Sequence, residues 1–258
     1  MAPQDLLATL RAQNPLVHCI TNYVAMNVAA NVVLAAGASP AMVHAAEEIA
    51  EFTPICGALT INIGTVSEPW RGSMLAAARA ADAADVPWVL DPVAHFISSY
   101  RKEAAQALLA LRPTILRGNA SEIMAMAGEA GAGKGADSGD SVDAAEGAAR
   151  ALAKSHGAVV AITGPVDFVT DGTQSAKVTG GSQIMPMVTA LGCSQTALMG
   201  AYAASGPAFE AALATLAHFK VAGTKAAKLA NGPGSFQMHF LDALAATQPE
   251  ELAGVIQS

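Results

Sequence analysis

Three groups of residues in this chain of 258 have the types and spacing to handle a cation and an anion together. Asp91 stands in LDPV, at the carboxyl end of an apolar run that reads as a buried strand. Ligands of open α/β sheets bind outside those strand ends. A carboxylate there can hold a cation, and position alone fits a capped strand end equally well. Arg117, Asn119, Ser121 and Glu122 follow in LRGNASE. Phosphate is a natural partner for a guanidinium at a strand end; the plainer use is an ion pair with Glu122 or Asp91. Glu122 falls in the first turn of a predicted helix, where its charge suits the dipole and Asn119 or Ser121 can cap. Its other use is as a second metal-directed carboxylate beside Asp91. Residues 189–193 (TALGC) open another helix. Such a turn offers unpaired N–H groups to an anion and can stabilise a phosphoryl group in transfer. Cys193 is expected to have a lowered thiol pKa there, unless it is simply a small residue packing the helix start.

These residues need a frame that brings strand ends together. Apolar runs at 58–64, 86–93, 114–119 and 158–164 read as strands buried on both faces. Runs at 167–170 and 175–179 flank Asp171–Gly172, a hairpin signal. Ala-rich helical stretches at 69–84, 98–111, 120–127 and 141–156 alternate with them. The pattern predicts a mostly parallel sheet with helices on both faces. From Cys193 onward no strand is expected, and 194–205, 207–230 and 234–247 read as helices. No linker or repeat interrupts the chain, so one domain over 1–258 is expected.

Composition narrows the class. The chain is 52% hydrophobic and 14% charged, against about 25% charged in ordinary soluble domains. That excludes a disordered chain and disfavours a lone monomer with a large wetted surface. Net charge is −7, so there is no basic footprint for nucleic acid. Mean hydropathy is +0.37. Yet the apolar stretches 24–43 and 188–204 are broken by polar residues and are not membrane spans. The N-terminus has no secretory pattern, and three scattered cysteines fit free thiols in a reducing compartment.

Other chemistries lack their signatures. Residues 128–134 match G-x-x-x-x-G-K, but a helix precedes them and Gly135 stands where a P-loop needs Ser or Thr. The segment 128–140 reads as a surface loop. No H-E-x-x-H, G-x-S-x-G or G-x-G-x-x-G occurs, and His18, His44 and His95 are assigned no metal.

Taken in order, residues 14–49 (NPLVHCITNYVAMNVAANVVLAAGASPAMVHAAEEI), LTINIGT, VLDPV, LRPTILRGNASEI, ITGPVDFVTDG and VTALGC resemble the hydroxyethylthiazole kinase family. The resemblance covers nearly the whole chain. It implies a three-layer ribokinase-like α/β fold and ATP-dependent phosphorylation of the primary alcohol of hydroxyethyl-methylthiazole, a thiamine salvage step. It implies that Arg117, Thr163, Asn119 and Gly164 contact ATP and that Asp91 and Glu122 hold Mg²⁺. Met42, Asn22, Gly64, Ala190 and Gly192 would bind the thiazole, and Cys193 would lie against its hydroxyl as a weak base or positioning group. A homotrimer with sites between subunits, and a cytoplasmic location, are also implied.

Two segments depart from the family pattern. Thr189-Ala190-Leu191-Gly192-Cys193 replaces a frequent T-G-T-G-C, and a bulkier Val93-Ala94-His95-Phe96-Ile97-Ser98-Ser99 replaces a Gly-rich stretch after DPV. Two other readings stand beside the first. One is a kinase of the same fold acting on hydroxymethylpyrimidine or a sugar. The other is a non-catalytic thiazole-binding protein whose nucleotide site is blocked by residues 95–97.

Overall fold

The computed structural model describes residues 1–129 and 142–257. The P-loop-like segment 128–134 and the glycine-rich stretch 128–140 lie outside the described residues, apart from Gly128 and Glu129. The chain runs α1 (Pro3–Gln13), β1 (Leu16–Ile20), α2 (Met26–Ala36), β2 (Ser39–Ala41), α3 (Ala46–Phe52), β3 (Ala58–Asn62), α4 (Glu68–Ala83) and β4 (Trp88–Asp91). It continues with α5 (Ser99–Leu109), β5 (Ile115–Asn119), α6 (Ala120–Met126), α7 (Val142–His156), β6 (Val159–Thr163), β7 (Asp167–Thr170) and β8 (Ser175–Val178). It closes with α8 (Leu191–Ala203), α9 (Ala208–Leu229), α10 (Pro233–Ala246), α11 (Pro249–Ala253) and β9 (Ile256–Gln257).

The strands form one sheet in the order β2-β1-β3-β4-β5-β6-β7-β8-β9. Neighbours from β2 through β6 pair in parallel, and β6 through β9 pair antiparallel. Successive strand residues point to opposite faces, and the two cores divide on that period. Val89, Ile115, Val159 and Ala161 join the core under α1, α2, α8, α9 and α10. Leu90, Leu116, Val160 and Ile162 join the core under α4, α5, α6 and α7. This is why apolar residues dominate these runs on both faces rather than alternating with polar ones. The three-layer α/β arrangement expected from the sequence is present.

Three differences have physical causes. β1 and β2 lie ahead of the first expected strand, because His18 and the three-residue length of β2 obscure the apolar signal. β9 lies in the region expected to be helical throughout; two residues are too few to carry a pattern. The helix expected to begin at residue 194 begins at Leu191, because Ala190 takes a left-handed φ of 62° and turns the chain into it.

Candidate active site

Parallel pairing puts the carboxyl ends of β1, β3, β4, β5 and β6 on one edge of the sheet. Asn62 lies opposite Asp91 in the ladder, and Asn119 opposite Thr163. α8 runs across this edge with its first turn over Arg117: a Cβ on Gly192 would sit 3.2 Å from Arg117 Nη2. The result is a cleft of about 810 Å³ lined by Asp91, Arg117, Asn119, Glu122, Thr163, Gly164, Ala190, Gly192 and Cys193 among others. Nine of the residues expected from the sequence thus converge on one cavity.

Asp91 is fully buried. Its Oδ2 accepts from Asn62 Nδ2 at 2.7 Å, Thr196 Oγ1 at 2.7 Å and Arg117 Nη1 at 3.2 Å. Its Oδ1 has no partner. Arg117 Nη2 also donates to Thr163 Oγ1 at 2.8 Å and Gln195 Oε1 at 3.3 Å, so the guanidinium is held by three elements. The ion pair with Asp91 that was the plainer reading of Arg117 is therefore present, and it leaves Arg117 facing the cleft.

Asn119 caps α6 and Glu122 completes a capping box, its Oε2 accepting the Asn119 N–H at 2.8 Å. Glu122 Oε1 accepts the Ala94 N–H at 2.9 Å. The capping use and the cleft-lining use of Glu122 coexist. Burial pushes both carboxyls above their usual range; the Asp91 charge adds to the effect on Glu122, and Arg117 opposes it on Asp91.

Cys193 is partly buried in the first turn of α8. The expectation of a lowered thiol pKa is corrected: burial, and then the Asp91 charge, push it up. A helix start contributes only about 0.3–1 kcal/mol at an exposed site. The N–H groups of Gly192 and Cys193 belong to that first turn, which has no intrahelical acceptor for them. The Ser194 N–H, in contrast, is already bonded to Ala190 O at 2.8 Å.

Asn22 and Gly64 adjoin the cleft rather than line it. Asn22 Nδ2 donates to Asn62 Oδ1 at 2.8 Å and approaches Cys193 Sγ at 3.4 Å. Gly64 packs against Asn22 and donates its N–H to Asn62 Oδ1 at 2.9 Å. Met42 is not brought to the cleft within one chain. It follows β2, packs on the core beside α2, and its carbonyl lies 3.1 Å from His44 Nδ1.

The bulky segment after DPV does not fill the cavity. His95 is buried against Pro92 O at 3.2 Å, Ile97 is exposed, and neither they nor Phe96 line the cleft.

Sequence reasoning missed several supporting residues. Asn62, Gln195 and Thr196 orient Asp91 and Arg117, and position at a strand end or one helix turn after Cys193 was the available signal. Arg101, on α5, donates to Gly64 O at 3.1 Å, Ala94 O at 3.3 Å and Val93 O, tying two strand-end loops together. No local pattern marks it.

The family model of the hydroxyethylthiazole kinases matches residues 7–250. Similar proteins include the hydroxyethylthiazole kinase of Roseobacter denitrificans, 79% identical over 257 residues and covering all of both chains. That of Rhizobium leguminosarum bv. trifolii is 60% identical over 252 residues, 97% of this chain and 94% of its own. Among solved structures, the hydroxyethylthiazole kinase protein of Pyrococcus horikoshii superposes with a TM-score of 0.91 at 35% identity, covering 99% and 97% of the two chains. A pyridoxal kinase of Bacillus subtilis shares the fold at a TM-score of 0.62 and 16% identity, covering 81% of this chain and 91% of its own. By sequence, fold and full-length coverage, this chain belongs to the hydroxyethylthiazole kinase family.

Proposed function

We propose that this chain, as one kinase domain, phosphorylates the primary alcohol of 4-methyl-5-(2-hydroxyethyl)thiazole with ATP, giving the thiazole phosphate used in thiamine salvage. The observation that carries the reading is the cleft that gathers Asp91, Arg117, Glu122, Thr163 and the first turn of α8 in a chain 79% identical to a hydroxyethylthiazole kinase.

The donor set fits Mg²⁺. Asp91 Oδ1 is a buried acceptor without a partner, and Glu122 lies on the same cavity. No group of three or more potential ligands occurs among the described residues. Mg²⁺ is commonly held by one or two carboxylates with substrate phosphates and water. Asp91 and Glu122 would hold the ion, which supplies charge neutralisation at the terminal phosphates when bound.

Transfer of a phosphoryl group is chiefly positioning and electrostatic stabilisation. Arg117, fixed by Asp91, Thr163 and Gln195, presents its guanidinium to the phosphates without further reorganisation. The Gly192 and Cys193 N–H groups add donors for the group in flight. Thr163, Asn119 and Gly164 form the donor side. Ala190, Gly192, Asn22 and Gly64 surround the acceptor alcohol, with the Cys193 thiol beside it as a neutral positioning group or weak base.

Met42 completes the acceptor pocket of a neighbouring subunit in a homotrimer. Two features support this. Met42 stands outside its own chain's cleft, and an aromatic stack of Tyr23, Trp70 and His44 borders Asn22 and Met42 with Tyr23 exposed. A cytoplasmic location is supported by three free thiols. No helix of the described residues is long and apolar enough to cross a membrane.

The deciding experiment is ATP consumption by the purified chain with the thiazole alcohol, hydroxymethylpyrimidine or a sugar, with and without Mg²⁺. Turnover with the thiazole that disappears on chelation is expected. Folded protein that turns over only another alcohol, or binds the thiazole without turnover, overturns the reading. Light scattering at micromolar concentration should return the mass of three chains; a single-chain mass removes the role given to Met42.

A further inference from the structure

A lysine is buried at the cleft without a place in the chemistry above. Lys220, on α9, keeps only 6% of its surface exposed. Burying an ammonium is costly unless it is paired and its protons are all bonded. The Lys220 ammonium donates to Gly164 O at 2.7 Å and Pro165 O at 3.0 Å and forms an ion pair with Asp167 Oδ1 at 3.3 Å.

Asp167 is buried as well, and its Oδ1 also accepts the Gly164 N–H at 2.8 Å. The ion pair therefore holds both the N–H and the carbonyl of Gly164, the residue that follows Thr163 at the end of β6. One helical turn beyond Lys220, Thr224 Oγ1 accepts the Gly181 N–H at 2.9 Å. Gly180 and Gly181 have φ of 101° and 84°, a left-handed backbone that glycine adopts without strain. A Cβ on Gly181 would lie 3.1 Å from Lys220 Cδ, so the lysine stem packs directly under that loop. Gly164, Pro165, Asp167, Gly180, Gly181 and Lys220 all line the cleft.

We infer that Lys220 is a positioning residue for the phosphoryl donor. With Asp167 it fixes the 164–165 loop, and with Thr224 it fixes the 180–181 loop. Together these make a rigid wall almost free of side chains at the end of the cleft that holds Thr163. Such a wall suits the flat nucleoside part of a nucleotide, and preforming it removes an ordering cost from donor binding. The inference rests on the proposed reading that the Thr163–Gly164 side takes ATP. It gives Lys220 no contact with the acceptor alcohol.

The test uses Lys220→Met and the charge-neutral double variant Lys220→Met/Asp167→Asn, whose introduced amide oxygen still accepts the Gly164 N–H. The double variant guards against misfolding from an unpaired buried carboxylate. The expected result is a KM for ATP raised by about tenfold or more, with kcat at saturating ATP and KM for the thiazole changed by less than about twofold. Equal losses in both KM values and kcat, or an unchanged KM for ATP, overturn the assignment. Hydrogen exchange on the unsubstituted protein is independent of the variants. The Gly164 and Gly181 amides should be protected before ATP is added, and exchange at open-loop rates overturns the preformed wall. A wild-type chain without ATP turnover removes the donor reading and this inference with it. A wild type that turns over, beside a double variant with an unchanged KM for ATP, removes the Lys220 role alone.

Discussion

A Cβ on Gly64 would lie 2.6 Å from Nδ2 of Asn22, closer than any real side-chain contact. Asn22 cannot yield freely: its amide donates to Asn62 Oδ1, and its own Oδ1 accepts the N–H groups of Val24 and Ala25. Gly64→Ala should therefore displace Asn22, costing about 1–3 kcal/mol as overpacking does. It should also lower turnover, because Asn22 links Asn62 to Cys193. Urea melts of Gly64→Ala, Asn22→Ala and the pair form a double-mutant cycle. The pair should recover stability relative to Gly64→Ala; simple additivity would show that the two residues do not clash.

Cys193 should remain a neutral thiol through the working pH range, since burial and the Asp91 charge hold its pKa above the ordinary 9.0. Cys193→Ser is expected to keep kcat within about tenfold, with an unchanged pH profile between about pH 6 and 8.5, whereas loss of a true general base costs about 10²–10⁴-fold. Cys193→Asp should keep or raise transfer. Abolished transfer in Cys193→Ser, with fold and both substrates' binding intact, would make the thiol a required acid–base group instead; abolished transfer in Cys193→Asp under the same conditions would overturn the positioning or weak-base role.

Ala94 and Ala190 both adopt left-handed backbone, at φ of 47° and 62°. These are alanines in the two segments where the family resemblance led to an expectation of glycine. A left-handed residue with a Cβ costs about 1–2 kcal/mol, and glycine's freedom in the unfolded chain returns about 0.4–1 kcal/mol of any gain. Ala94→Gly and Ala190→Gly should each stabilise by up to about 1 kcal/mol in urea melts. Ala190→Val should destabilise by more than about 1 kcal/mol, since a β-branched residue fits φ above zero worst. A neutral Ala190→Val would contradict the strain.

His218 offers a pH test remote from the cleft. Its Nε2 faces Leu244 O at 2.9 Å and must carry the proton, which leaves Nδ1 to accept from Tyr202 O–H at 2.9 Å. Burial pushes the imidazole down to about 4, from 6.5 when free. Because the folded pKa is the lower one, the unfolded chain binds more protons between pH 6.5 and 4. Stability is then full above that window and falls as pH drops through it, by up to about 3 kcal/mol. His218→Gln can make both bonds without titrating. The stability gap between wild type and His218→Gln should shift in the variant's favour from about pH 7 to about pH 4.5; a pH-independent gap would sink the assignment.

Much of this molecule was legible in its sequence. The runs of β3 to β6 read as strands buried on both faces because they are mostly apolar, with their polar residues few and gathered mainly at the carboxyl ends. Asp91, Arg117, Glu122 and the α8 turn stood out because charges are scarce and each lay at an element end. The family motifs added Met42, Asn22 and Gly64, which no periodicity would have picked. What only the tertiary structure decided was the partnering. Arg117 and Asp91 are 26 residues apart, Asp91 and Thr196 are 105 apart, and Lys220 and Gly164 are 56 apart. Parallel pairing and the crossing of α8 and α9 set those meetings, and no local pattern encodes them. Burial likewise decided the protonation of Cys193. The sequence placed the thiol at a helix start, which favours the thiolate. The fold surrounded it with low-dielectric packing and a neighbouring carboxylate, which favour the thiol.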